Sequence, residues 1–511
     1  MSSFPELTVL AATPLVGAVV VLLLPRRGRS VVKPMALGIS VLTLALAGVV
    51  AARYEPGAGF QFSEEHDWIS VFGAHYALGV DGIGLTLILL TTLLTPVVML
   101  ASWHDGEGGR WSVNTFFAWM LGLEGLAVGV FAATDVFLFY VLFEATLIPI
   151  YFLIGGYGGS QRSYAAVKFL LYSLLGGLLM LASVVGLYVV SARVGEPTYL
   201  LSELREIPIS ESTGRWLFLG FFIAFAIKAP LWPVHTWLPD AAASGTSGTS
   251  VLMISVLDKI GTFGMLRFCL GLFPEASQWA SPVVMTLAVI SIVYGALLAI
   301  GEDDLRRLIA YTSVSHFGFI VMGIFAFTTT AASGSTLYMF NHGISTAALF
   351  LVTGFLVSRH GSKMISDYGG VQKIAPVLAG LFLLAGLSSL SLPGLSTFVS
   401  EFLVLAGTFT HSVPAAVVAT LGIVLAALYI LLMYQRTMTG PLRPDNAGIR
   451  DLNLREVGAL APLAVLILAL GFFPRPLLDV IEPTVSETLV YVGVTDPEPD
   501  VPVSALDEEA P

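Results

Sequence analysis

The chain has 511 residues, 56% of them hydrophobic and 12% charged, with mean hydropathy +0.85 and a formal net charge of −11. Soluble globular domains carry roughly 25% charged residues, and an acidic balance of this kind argues against nucleic acid as a partner. One cysteine, Cys269, excludes a disulfide framework, a thiolate zinc site and an iron–sulfur cluster built by this chain alone.

The apolar residues fall in runs of about 18–24, the length that crosses a hydrocarbon core. They do not alternate with polar residues as the strands of a membrane barrel do. The expected fold is an all-α polytopic membrane protein of about 14 spans: 7–24, 31–52, 79–101, 113–131, 135–155, 164–192, 215–236, 249–272, 282–300, 306–327, 335–358, 374–408, 413–435 and 456–474. The first run lacks a basic flank and a small-residue cleavage site, which predicts a retained helix. Residues 374–408 are too many for one straight span, and SLPGLS at 391–396 predicts a break within them. No glycine-rich nucleotide-binding motif is present.

Loop charges set the orientation. Loops on one side hold Arg26, Arg27, Arg29, Lys33, Arg110, Arg162, Arg306, Arg307, Arg359, Lys363, Lys373, Arg436, Arg443, Arg450 and Arg455. The other side holds Arg53, Arg193, Arg205, Arg215 and Arg475, so the count is 15 against 5. Both termini are therefore expected outside the cytoplasm. The tail 495–511 is acidic and rich in proline, which predicts disorder.

Several ionisable groups fall inside the runs: Glu124, Glu144, Lys168, Lys228, Asp258, Lys259 and Glu401. A charge facing lipid at mid-depth costs about 2.5–3.5 kcal/mol on insertion scales, so these groups are expected to face protein or a hydrated route. Snorkelling or a structural ion pair is the competing explanation, and it fits Lys168 best.

Proline removes a backbone hydrogen bond, and at membrane depth that is tolerated where the freed groups meet protein or line a cavity. The chain does this at Ala229–Pro230, beside Lys228, and at Leu392–Pro393, eight residues before Glu401. The two broken spans are the seventh and the twelfth. Five spans apart, they cross in opposite directions, which is the sequence mark of an inverted-repeat transporter. Polar pairs four apart share helix faces: Ser255 with Lys259, Thr312 with His316, His342 with Thr346, and Thr397 with Glu401. The histidines could pass protons, and the hydroxyls could equally hold helices together.

VFLFYVLFEATLIPIYFLIGGYG (136–158), FAIKAPLWPVHTWLPDA (225–241), DLRRLIAYTSVSHFG (304–318), NHGISTAALF (341–350) and LPGLSTFVSEF (392–402) resemble the antiporter-like membrane subunits of respiratory complex I, the proton-translocating NADH–quinone oxidoreductase. The resemblance spans about 75–475. It implies two inverted five-helix repeats, with broken helices 7 and 12. The implied division is 1–110 for three N-terminal helices, 111–278 for helices 4–8, 279–440 for helices 9–13, 441–494 for helix 14 and its flank, and 495–511 for the tail. It also implies roles. Glu144 resembles the carboxylate of the fifth helix and Lys228 its lysine partner. Lys259 resembles the central lysine, His316 and His342 the polar linkers, and Glu401 the terminal site. Glutamate at that last position, where the L and N subunits carry lysine, separates this chain from those two.

The implied partners are the other membrane-arm subunits, among them L and N, and membrane lipids in a bacterial inner membrane. FMN, iron–sulfur clusters and quinone would belong to partner subunits, with no cofactor in this chain. A subunit of a multi-subunit cation/proton antiporter shares the repeat, and a non-translocating scaffold of the pump is the third alternative. Two departures from the family stand out. AASGTSGTS (242–250) replaces the usual His and Glu-Ala-Pro-Thr, and Asp258 precedes the central lysine where an apolar residue is usual. Adjacent helical residues point about 100° apart, so Asp258 is expected to face a different neighbour from Lys259.

Overall fold

Inside a bilayer an apolar run has no water to bond its backbone, so it closes its own hydrogen bonds as a helix. The computed structural model describes residues 4–25, 29–57 and 59–496. Among them, twelve unbroken helices are long and apolar enough to cross a membrane: Glu6–Leu23, Val31–Arg53, Gly82–Ala101, Val113–Ala132, Val136–Tyr157, Arg162–Val194, Ser247–Leu270, Pro274–Gly301, Leu305–Phe325, Thr329–His360, Val413–Met438 and Leu454–Phe472. Two broken crossings complete the set: Glu211–Lys228 with Trp237–Ser244, and Pro376–Ser389 with Ser396–His411. In chain order these are crossings one to fourteen, with the breaks in the seventh and twelfth.

The structure differs from the sequence pattern in four places. The third crossing starts at Gly82 rather than 79, because residues before it form an antiparallel hairpin, β1 (Gln61–Ile69) and β2 (Ala74–Val80). Its exposed first strand carries little apolar signal, and a purely helical reading overlooks it. The seventh crossing runs past 236: Trp237–Ser244 is its second half-helix. The segment 242–250 is therefore not an open loop, since only Gly245 and Thr246 separate that half-helix from the eighth crossing. Finally, the flank after the fourteenth crossing is a helix, Arg475–Val492, packed on the third and eleventh crossings. Arg26 and Arg27, and the tail from 497 onward, lie outside the described residues.

Burial orders the crossings. The eighth is buried along its whole length, and the tenth and eleventh are 94% buried over their most apolar stretch. The first, second and fourteenth are 28% buried. A helix apolar on all sides belongs in an interior, and these three central helices carry Lys259, His316 and His342.

Side chains at the helix starts accept otherwise unpaired amides. Asp81 accepts from Gly84 at 2.9 Å, Asp135 from Leu138 at 2.8 Å, and Asp304 from Arg306 at 2.9 Å. Asp81 also holds Arg267 in a buried ion pair at 2.6 Å, beneath the ring of Phe60. On the opposite side Asp240 takes Lys168 at 2.7 Å and Arg307 at 2.6 Å, tying the sixth, seventh and tenth crossings together. Lys168 is thus a structural ion-pair member at the helix ends, the alternative that its sequence position favoured.

Candidate functional site

Lys228 is the last residue of the first half-helix of the seventh crossing, and it is buried. The break that follows is built from Pro230 and Pro233, yet the backbone groups around it find partners. The Trp237 indole donates to the Ile227 carbonyl at 2.9 Å, and the Trp232 amide donates to Ser291 Oγ at 2.8 Å. The Lys228 ammonium itself has no hydrogen-bond acceptor among the described residues. It lies 4.9 Å from the centre of the Phe143 ring and 5.8 Å from that of Phe169, in reach of cation–π attraction.

Glu144 is half-buried on the fifth crossing, two residues before Thr146, where one helical segment hands over to the next. Its Oε1 is enclosed without a partner, directly over Gly177 of the sixth crossing. A Cβ at Gly177 would sit 1.8 Å from that oxygen, so only glycine leaves room for the carboxylate. Glu144 and Lys228 feel each other's charge but form no direct ion pair in this arrangement. The expected pair is an electrostatic one, with the Phe143 ring beside the ammonium.

Lys259 is bound quite differently. The eighth crossing has π-helical turns at Leu252–Leu257 and Met265–Leu270 on either side of it. Such turns are rare and concentrate at functional sites. The Lys259 ammonium donates to the Ile254 carbonyl, five residues back, at 2.8 Å and lies 2.7 Å from His342 Nδ1. The His342 and His316 rings are 5.3 Å apart edge-to-face, and His316 is 5.8 Å from the Tyr338 ring. Tyr338 donates to Glu401 Oε2 at 3.0 Å, and Ser391 donates to the same oxygen. Every side chain from Lys259 to Glu401 along this line is buried.

The twelfth crossing breaks over Leu390–Leu395, where Ser391 has φ 59° and Gly394 has φ 90°. Asn341 of the eleventh crossing donates to the Ser396 carbonyl at 2.7 Å, and the Thr397 hydroxyl reaches back to the Ser388 carbonyl. The break is thereby pinned, and Ser391 is aimed at Glu401. Two of the aligned hydroxyls serve the backbone: Thr312 donates to Leu308 at 2.9 Å within its own helix, and Thr397 donates across the break, whereas Ser255 Oγ has no partner among the described residues.

Asp258 and Lys259 diverge. Gly261, three residues after Asp258, packs on the break of the seventh crossing; a Cβ there would be 2.6 Å from the Phe225 oxygen and 2.7 Å from the Ala229 nitrogen. Thr262, three after Lys259, donates to Met339 Sδ at 2.8 Å on the eleventh crossing, one turn from His342. Asp258 thus shares the face turned to Lys228, and Lys259 the face turned to the histidines. Glu124 lies apart from this group, accepting from Ser40 of the second crossing at 3.1 Å.

The geometry can be set beside known proteins. The family described as NADH:quinone oxidoreductase/Mrp antiporter, TM, matches residues 133–426. NADH-quinone oxidoreductase subunit M of Mycobacterium tuberculosis is 51% identical over 99% of this chain and 98% of its own. The chain belongs to the NADH-quinone oxidoreductase subunit M family. Subunit M of Rhodobacter capsulatus is 38% identical over 89% of this chain and 90% of its own. Among solved structures, respiratory complex I from Thermus thermophilus with bound NADH contains a chain that superposes with TM-score 0.87 at 33% identity, covering 96% of this chain and all of that one. A chain of the Mrp complex from Dietzia sp. superposes with TM-score 0.83 at 21% identity, covering 96% and 99%; at that identity the likeness is one of fold.

Within this subunit M family member, sequence reasoning missed Tyr338 and Ser391, which meet Glu401, and His235, buried in the seventh-crossing break beside Tyr294. Only Tyr338 left a usable trace: it lies four residues before His342, on the same helix face. Ser391 reaches Glu401 through a bend that no periodicity describes. At the end of the eighth crossing, Gly245, Thr246 and Ser247 of the altered segment line a 570 Å³ cavity with Asp105, Arg306 and Glu456.

Proposed function

We propose that the chain is a proton-translocating membrane-arm subunit of NADH–quinone oxidoreductase. Protons would move along the membrane midplane past Glu144, Lys228, Lys259, His342, His316 and Glu401, with Tyr338 beside the last step. The observation that carries this is the buried file of polar side chains from Lys259 to Glu401, hydrogen-bonded at its two ends and joined between them by the packed rings of His342, His316 and Tyr338. A change of field at Glu144 and Lys228, imposed by a neighbouring subunit, would send the Lys228 proton toward Lys259. Glu401, in the half of the twelfth crossing beyond its break, would release it.

Electron transfer, with its FMN, iron–sulfur clusters and quinone, would take place in partner subunits, so the driving signal must arrive by long-range coupling. The partners are the other membrane-arm subunits, L and N among them. The arginine- and lysine-rich side, with the 570 Å³ cavity, would face the cytoplasm of a bacterial cell. Both termini would then lie outside its inner membrane.

The test is NADH-driven proton uptake by inverted membrane vesicles carrying the assembled oxidoreductase with Lys228→Ala or Glu401→Gln. The expected result is a lower proton-to-electron ratio with normal assembly. An unchanged ratio would leave the chain a scaffold, and sodium-dependent exchange without NADH would make it an antiporter subunit.

A further inference from the structure

The buried line from Lys259 to Glu401 is linked by contacts, while Lys228 stands without an acceptor among phenylalanine rings. What joins them is open unless a third group stands at the junction. Asp258 has the position for it. It is fully buried, and neither of its carboxylate oxygens accepts a hydrogen bond from any described residue. An enclosed carboxylate with no donor is costly, and a native interior retains such a group where it has a use. Lys259 is its neighbour in the chain, and Lys228 is near enough for the two side chains to interact through their charges.

The packing explains why it reaches both. Gly261 and Gly264 let the eighth crossing close on the seventh: Cβ atoms there would lie 2.6 Å from the Phe225 oxygen and 2.4 Å from Phe225 Cε1. Asp258, one turn before Gly261, shares the helix face that packs against the helix end presenting Lys228. Lys259 follows it directly in the chain and faces the other way, toward His342.

We propose that Asp258 is a proton-carrying station between Lys228 and Lys259, joining the two halves of the relay. In the step, a Lys228 N–H bond breaks and its electron pair stays on nitrogen, while a carboxylate oxygen of Asp258 takes the proton. The neutral Asp258 then gives that proton to the unprotonated amine of Lys259. The carboxylate is restored and an ammonium forms beside His342. No oxidant or further reactant is needed. The inference rests on the translocation reading above, and the controls separate the two.

The assembled oxidoreductase is prepared with Asp258→Asn, Asp258→Leu and Asp258→Glu, alongside Lys228→Ala. Proton uptake per NADH is measured in vesicles, and the carboxyl infrared band is followed during turnover. Asn and Leu are expected to slow proton delivery about tenfold or more, Glu to retain most of it, and a carboxyl band that changes in turnover to vanish in the Asn form. If the Leu or Asn form translocates at the wild-type ratio while Lys228→Ala does not, Asp258 is no station and the translocation reading stands. If Lys228→Ala also translocates normally, that reading fails first. Should the variants assemble poorly, the unmodified enzyme still decides: no turnover-linked carboxyl band would overturn the proposal.

Discussion

Two buried lysines of one membrane domain are held in opposite ways. Lys228 sits in a box of aromatic rings and touches no acceptor, whereas Lys259 is bonded to a carbonyl and an imidazole that lead on to Glu401. Rings stabilise a positive charge without offering a place for its proton to go. Bonded acceptors offer that place, but commit the charge to one geometry. The first site is therefore suited to holding a proton until the field at Glu144 changes, and the second to passing it on. The backbone agrees. The first site lies at the break after Lys228, while Lys259 and His342 lie on continuous crossings in the most buried part of the fold, the eighth with π-helical turns on either side of its lysine.

The contrast can be broken most directly in the second half. His342→Ala removes one of the two contacts of the Lys259 ammonium and should slow proton transfer through this subunit about tenfold or more, seen as a lower proton-to-electron ratio with assembly intact on native gels. In the first half, Lys228→Arg keeps the charge and the ring contacts but cannot be deprotonated in a protein. It should lower the proton-to-electron ratio as far as Lys228→Ala does. If it pumps normally, Lys228 is only a fixed charge and no proton passes through it.

Packing offers a second set of tests. Gly261→Ala drives a methyl group into the Phe225 and Ala229 backbone, which no rotamer change relieves. It should cost about 1–3 kcal/mol, seen as a lower thermal midpoint of the purified complex, and should loosen the seventh crossing from the eighth. Gly177→Ala meets the Glu144 carboxylate instead. Because that side chain can swing away, the stability loss should be smaller while uptake falls toward the Glu144→Gln level. Equal loss of stability in both variants would show that Glu144 is as rigidly held as the second-half groups.

The smaller effects sharpen the terminal site and its support. Tyr338→Phe deletes one hydrogen bond to Glu401 and leaves Ser391 in place. A cost of about 0.5–1.5 kcal/mol and a several-fold slower uptake are expected. Asp451 lies in the loop before the fourteenth crossing and accepts from the amides of Val377, Leu378 and Leu452 at 2.9, 2.9 and 2.8 Å. It thus caps the helix that leads into the twelfth-crossing break. Partial burial alone would raise its carboxyl, but those three bonds and the Arg359 charge outweigh it and hold it below the ordinary carboxylate value. A carboxyl depressed in the folded state adds stability above its unfolded value, and that stability is lost as pH falls through the folded one. Asp451→Ala should therefore cost about 1 kcal/mol at neutral pH and nothing in strong acid, as a thermal-midpoint series against pH would show.

Much of the architecture was readable from the amino acids. Fourteen apolar runs, two of them read as broken at Pro230 and Pro393, became fourteen crossings with breaks in the seventh and twelfth, because hydrocarbon leaves a backbone few alternatives. The hairpin at Gln61–Val80 was not readable, since an exposed strand needs no apolar pattern. Glu144, Lys228, Lys259, His316, His342 and Glu401 could be named from their burial in those runs.

What the chain alone determines is which groups enter the membrane and at what depth, since hydropathy and helical rise act locally. Which of them meet was decided only by packing. Glycines at 177, 261 and 264 set how closely the helices approach. A π-helical turn frees a carbonyl for Lys259, and a left-handed serine at 391 turns its hydroxyl onto Glu401. These are contacts between residues as much as 83 positions apart, and no local rule of propensity or periodicity reaches that far.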